Sequence, residues 1–175
     1  MSTLPIIEEV LEKFATHLAV DREKYRNHVY RVFLNCCLLD TEERNWEIYA
    51  IAAVFHDIGI WTDNTIDYLK PSIGQAIKYL GETGREHLQD EIARMIYYHH
   101  KLTRYSGPDS VKINTFRKAD WIDVSLGAIK FGVDKSLVRR HQKAFANKGF
   151  HWFLVKKILR NLIRHPLRPL PMFRR

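Results

Sequence analysis

The stretch Ala52-Ala53-Val54-Phe55-His56-Asp57-Ile58-Gly59 reads as the end of an apolar helix that finishes in two metal-type ligands. Residues Ile48 to Phe55 are almost all small or apolar, so this helix is expected to be buried on every side. An imidazole and a carboxylate then stand side by side, just before a glycine. Gly59 is expected in the left-handed position that ends a helix. A charge in apolar surroundings is costly unless something compensates it. A divalent cation is one such compensation, because it takes both a His nitrogen and an Asp oxygen. The plainer alternative is a surface His-Asp pair at a helix end.

The rest of the chain reads as helices arranged around that stretch. Ser2 or Thr3 can cap a first helix with Pro5 in its first turn and an apolar face of Ile6, Ile7, Val10, Leu11 and Phe14. Asp21 is expected to cap a second helix to about Leu39, with Tyr25, Val29, Val32, Phe33, Cys36 and Leu39 at helical spacing. His28 borders that stripe and can point inward. Thr41 or Asn45 starts the helix that ends in His56-Asp57, and a turn-like segment follows from Ile60 to Lys70. Pro71 opens a helix to about Leu80, which Gly81 and Gly84 close. The next runs from about Arg85 to His100 and puts Ile92, Met95, Ile96 and His99 on one face. After a basic loop, Asp109 is expected to cap a helix to about Leu126, where Ile113, Phe116, Asp120 and Val124 share a face. Asp134 caps another to about Ala146, and a last helix spans about Phe150 to Arg164. The tail from His165 to Pro171 reads as extended.

No alternating strand pattern of useful length occurs, and three of the six prolines lie after His165. The expectation is an all-α single domain. Residues 1–20 form an N-terminal helix on the core, 21–130 the metal-binding core, 131–165 basic helices of the same domain, and 166–175 a Pro/Arg tail. At 175 residues, with 46% hydrophobic and 27% charged side chains, the chain can bury a core of its own. No apolar run approaches the roughly 20 residues that span a bilayer. Met1 to Val10 has no Lys or Arg and carries Glu8 and Glu9, so it does not read as a signal peptide. Cys36 and Cys37 are adjacent within a helical pattern, which points to free thiols and a cytoplasmic setting.

Ligand-type side chains thus fall on separate helices: His28, then His56 and Asp57, then His99, then Asp120. Helices of a bundle can converge such groups on one buried point. Asp123 competes with Asp120, which has the more apolar face. His17, His87, His141, His151 and His165 have no ligand context and read as surface or packing residues.

The ordered set "NHVYRV", "AAVFHDIG" and "RKADWIDV", with "MIYYHHK" between the last two, resembles the HD superfamily of metal-dependent phosphohydrolases over roughly residues 22 to 126. The resemblance implies that His28, His56, Asp57 and Asp120 bind one divalent ion, drawn from Mn, Fe, Co, Ni, Zn or Mg. It implies that Asp57 also accepts a proton from the attacking water. His99, His100, Lys101, Arg104 and Lys118 become candidates for the substrate phosphate, with Arg117 beside them. The implied activity is hydrolysis of a small, nucleotide-like phosphate ester. The alternatives are a weakly active or non-catalytic metal-binding module and an enzyme resembling cyanamide hydratases. The chain departs from the family's two-metal branches, because Lys70-Pro71-Ser72-Ile73-Gly74 contains no His. It also lacks the Gly-Tyr-Pro motif of the cyclic-di-GMP phosphodiesterases, and Ile60 stands where some nucleotidases carry a Glu. The catalytic acid is then expected from elsewhere, with Asp63 and Asp67 as candidates.

The net charge of +8 is unevenly placed. From Asp134 onward there are twelve Lys or Arg and one acid, against sixteen basic and nineteen acidic residues before it. Lys135, Arg139, Arg140 and Lys143 cluster on one predicted helix, and Lys156, Lys157, Arg160 and Arg164 on the last. Three readings compete for residues 135–175: a core-packing helix with a solvated basic face, weak contact with nucleic acid or another polyanion, and contact with an anionic membrane surface.

Overall fold

A computed structural model describes residues 5–164. It is all-helical, with no strand among the described residues. The helices are α1 (Pro5–Lys13), α2 (Ala15–Leu18), α3 (Arg22–Leu39), α4 (Trp46–Phe55), α5 (Gly59–Thr62), α6 (Leu69–Glu82), α7 (Gln89–Tyr98), α8 (Ser110–Val124), α9 (Lys135–Ala144) and α10 (Phe150–Arg164). The expected Ser2 or Thr3 cap and the tail from His165 lie outside the described residues. No helix among them is long and apolar enough to cross a membrane. Cys36 is buried and Cys37 half-buried, and both are free thiols.

The middle of the bundle is α4. Every residue from Ile48 to Phe55 is buried, as expected of a helix with no polar side to offer water. α3 lies against α4 on one side, α1, α6 and α7 pack against its other faces, and α8 joins α3 to α7. The amphipathic faces of α1 and α7 supply Ile7, Val10 and Leu11, and Ile92, Met95 and Ile96. α9 and α10 pack onto α3.

Several helix starts differ from their expected chemistry. Asp21, Asn45 and Asp109 precede α3, α4 and α8, yet none makes a side-chain capping bond. The backbone of Asp21 and Asn45 is already helical and that of Asp109 left-handed, whereas a capping side chain needs an extended residue, and each side chain turns to other groups. Asp21 accepts from Lys24 Nζ at 2.6 Å and Trp61 Nε1 at 3.0 Å, and Asn45 donates to Asp40 at 2.9 Å. Asp109 itself sits at φ 58° and faces Arg94 and Lys112. Asp134 does cap α9, accepting from the Ser136 amide at 2.6 Å. The segment after His56-Asp57 is partly helical: it holds α5 before a loop leads to α6, which begins at Leu69, ahead of Pro71. Gly81 lies inside α6, while Gly84, at φ 68°, turns the chain after it.

Gly59 also has a different role from the one its position suggests. Its φ is not positive. It is the first residue of α5, and its amide donates to Ser72 Oγ at 2.9 Å. A Cβ there would meet Tyr68 O at 2.5 Å, Pro71 Cβ at 2.9 Å and Ser72 N at 2.9 Å. The glycine lets α5 touch the start of α6, which closes the chain tightly behind Asp57. Gly59→Ala is therefore expected to destabilise the protein by about 1–3 kcal/mol, the usual cost of forcing a packed contact apart. Urea unfolding reads this as a lower midpoint, and an unchanged midpoint would show that the contact yields freely.

Candidate metal centre

Four elements bring the ligand-type groups together. His28 comes from the buried face of α3, where Tyr25, Val29 and Val32 are its neighbours. His56 is the residue that ends α4, and Asp57 follows it. Asp120 lies on α8 one turn after Phe116, and both are buried. His99 ends α7 in the same manner as His56 ends α4. The side chains of His28, His56, Asp57, His99 and Asp120 are at most 4% exposed. His100 is 16% exposed and marks the solvent side of the group.

His28 Nε2 is 2.9 Å from His56 Nε2, 3.6 Å from Asp57 Oδ2 and 3.7 Å from Asp120 Oδ1. His56 Nε2 is 3.4 Å from Asp57 Oδ2 and 3.7 Å from Asp120 Oδ1. Ligands at right angles about an ion with bonds near 2.1 Å stand about 3 Å apart, and tetrahedral ones about 3.4 Å. The observed separations bracket those values. A second group shares Asp57: its Oδ1 is 3.5 Å from His99 Nε2, and His100 Nδ1 is 3.7 Å from Asp120 Oδ2.

The outer ring nitrogens fix how each imidazole meets the group. His28 Nδ1 bonds Asp123 Oδ2 at 2.7 Å, His56 Nδ1 the Ala53 carbonyl at 2.8 Å and His99 Nδ1 the Ile96 carbonyl at 2.6 Å. An Nδ1–H that donates outward leaves Nε2 with a lone pair aimed inward, as a metal-binding histidine requires. Two such lone pairs at 2.9 Å need a cation between them, whether a proton or a metal ion. Asp57 Oδ1, Asp120 Oδ1 and Oδ2, and His99 Nε2 are buried without a hydrogen-bond partner, which is costly for acceptors in a dry place. The donor set therefore fits a divalent ion.

The proton balance tells the same story. Burial opposes a charged His28, but hydrogen bonds to Asp123 and Asp57 outweigh it and raise its pKa to about 9. Burial, together with His28 and His99 nearby, drives His56 down to about 3. One proton is thus taken where two cannot fit. Burial raises Asp120 to about 7. Burial works against the charge on Asp57 as well, yet His56, His28 and His99 hold it well below the ordinary carboxylate range.

Asp123 is not in the group. It stands behind His28, accepts from Arg31 Nε at 2.5 Å and Arg31 Nη2 at 2.9 Å, and is 2% exposed. Arg104 is exposed in the loop before α8, and Lys118 lies nearly half a turn round α8 from Asp120, its ammonium 5.9 Å from the Phe131 ring. Neither forms an ion pair with the group. Lys101 places its ammonium over Tyr97, and its carbonyl accepts from the buried Arg117 at 3.2 Å. Asp63 and Asp67 are exposed, and Asp63 is taken by the Thr62 hydroxyl. The proton-bearing group beside the cluster is instead Tyr68, whose phenol bonds His100 Nε2. Burial, with Asp57 and Asp120 close by, keeps that phenol protonated well above its ordinary range.

Sequence reading missed Arg31, Tyr68 and the role of Asp123. His141, read as a surface or packing residue, is buried against Asn35, and His151, read the same way, bonds the Asp123 carbonyl at 3.1 Å. The usable signal was the pairing of His28 with Arg31 and of Asp120 with Asp123, each three residues apart on one helix face.

No family model, curated protein or solved structure matches the chain. The case for a function rests on the residues themselves.

Proposed function

We propose that this chain is an HD-type metal-dependent phosphohydrolase that cleaves a small, nucleotide-like phosphate ester. The observation that carries the reading is the convergence of His28, His56, Asp57 and Asp120, with partnerless carboxylate oxygens at its centre. His28, His56, Asp57 and Asp120 would hold a divalent ion, which would supply a Lewis acid for a phosphoryl oxygen and a water of lowered pKa, and mixed imidazole–carboxylate sets accept Mn, Fe, Co, Ni, Zn or Mg.

The chain's own groups do the rest. Asp57 accepts the proton of the attacking water through a carboxylate already facing His28, His56 and His99. His99, from within the cluster, and His100, on its solvent side, are the groups to meet the phosphate. Tyr68 keeps its proton and gives it to the leaving oxygen as the P–O bond breaks. Asp123 and Arg31 hold the His28 ring in place. The two free cysteines fit a cytoplasmic home, and the basic side chains of residues 135–175 serve binding, while Phe150 and His151 of that stretch brace the cluster. Enclosure of the cluster favours a second reading, in which the ion is held only for structure.

The test is metal titration across pH, followed by a phosphate-ester panel with each metal. His28 holds a proton up to about pH 9 in the metal-free protein, and the ion must displace it. Affinity is expected to rise about tenfold per pH unit toward that value, and more steeply below about 7, where Asp120 also carries a proton. Turnover of at least one ester supports hydrolysis. Tight, pH-dependent binding without any turnover supports the structural reading, and no binding at any pH ends both.

A further inference from the structure

α10 divides its apolar residues between two faces. Inward, Phe150 is buried and stacks on His28 at 4.1 Å. Phe153, Leu154 and Ile158 pack against Ile60, Ile66, Tyr68 and Leu69, and Phe153 lies flat on Trp61 at 5.1 Å. Outward, Trp152 is 60% exposed, Val155 41%, Leu159 50%, Leu162 41% and Ile163 82%. At helical spacing these five fill one continuous arc of about 100°. A core-packing helix with a solvated basic face would have put those side chains inside. The exposed Lys156 and Arg160 border the arc on one side, and Lys156 sits 5.5 Å from the Trp152 ring.

We infer that the outer face of α10 docks on an anionic lipid bilayer surface, lying in the plane of the headgroups. The chemistry selects this occupant. Four of the five side chains in this row are aliphatic and have no use against a phosphate backbone, which disfavours nucleic acid as the ligand of this face. A second copy would set Lys156 and Arg160 against their own kind or close to it, in a region where twelve Lys or Arg face one acid. A bilayer of anionic lipid satisfies both parts at once: the acyl boundary takes Leu159 and Ile163, the headgroups take the cations, and Trp152 sits at the interface that indole rings prefer. The docking is independent of the proposed reaction.

The experiment is co-sedimentation of the full chain with phosphatidylcholine vesicles, with and without phosphatidylserine, at low and high salt. Binding is expected with phosphatidylserine, weakened by salt, and accompanied by a blue shift of Trp152 emission that Trp152→Phe removes. Leu159→Asp with Ile163→Asp, both exposed positions, should weaken binding by more than about tenfold, given the area each would bury in lipid. Far-UV dichroism and melting should be unchanged. Lys156→Glu with Arg160→Glu keeps the apolar arc and should lose the preference for phosphatidylserine. Equal binding to neutral vesicles, or undiminished binding by the Leu159/Ile163 variant, overturns the proposal. So does a dimer or a nucleic-acid complex that this variant abolishes, because the face then belongs to that occupant.

Discussion

Asp57→Asn is expected to lose hydrolysis by about 10²–10⁴-fold, the usual contribution of a positioned proton acceptor, and to lose most of its bound metal. The substitution keeps the shape and removes the charge. Oδ2 of Asp57 faces both His28 and His56, and Oδ1 faces His99, so this one carboxylate joins the two histidine groups. The loss should also be visible without substrate. An ion present at a thousand times its Kd adds about 4 kcal/mol to stability, and a chain of this size gains about 2–4 °C per kcal/mol. Adding Mn or Zn to the wild-type protein after chelation should therefore raise Tm by roughly ten degrees, and the variant should show little of that shift. Full metal content and full turnover in Asp57→Asn would remove the residue from the mechanism.

Arg31→Met gives the largest expected change in stability. Arg31 is 2% exposed, grips both oxygens of Asp123 and donates through Nη1 to the Phe145 carbonyl at 2.9 Å. Removing one partner of a buried pair strands the other and costs about 3–5 kcal/mol, which is again roughly ten degrees in Tm. Metal affinity should fall about 10–100-fold as well, because Asp123 orients His28. The acid limb should move too. Burial alone would raise Asp123, but His28 and Arg31 hold it well below the ordinary range. The stability this supplies is therefore present above its unfolded pKa and lost as pH falls through the folded one. Without Arg31 that loss begins at higher pH. The double variant Arg31→Met/Asp123→Leu separates packing from orientation: it should recover part of the Tm and none of the metal affinity. Wild-type Tm in Arg31→Met would mean that the pair carries no net stability.

The course of α4 was legible because eight successive residues without a charge have nowhere to go but inside. His28 and Asp120 were legible too, since each falls on an apolar stripe where a polar group needs a reason. Arg31 was not. An arginine beside such a stripe ordinarily lifts its guanidinium into water, and here Asp123, 92 residues away, together with the Phe145 carbonyl, makes burial acceptable. Gly59 was misread for a related reason. A glycine at a helix end suggests positive φ, whereas the constraint comes from Tyr68 and Pro71, which a local reading cannot place beside it. The expected caps at Asp21 and Asp109 failed because capping needs an extended backbone, which Asp134 has and these two do not, and residue type alone does not reveal φ and ψ. The outer face of α10 could be drawn from its spacing, but whether it was covered depended on the neighbours that α6 and α3 provide.

Phe150 opens α10 and rests its ring flat against His28. A surface helix thereby begins on the face of an imidazole at the heart of the molecule. Where an agent that shifts the seat of this helix changes the affinity for the proposed ion, the ion must change the affinity for that agent by the same factor, since linkage between two equilibria runs in both directions.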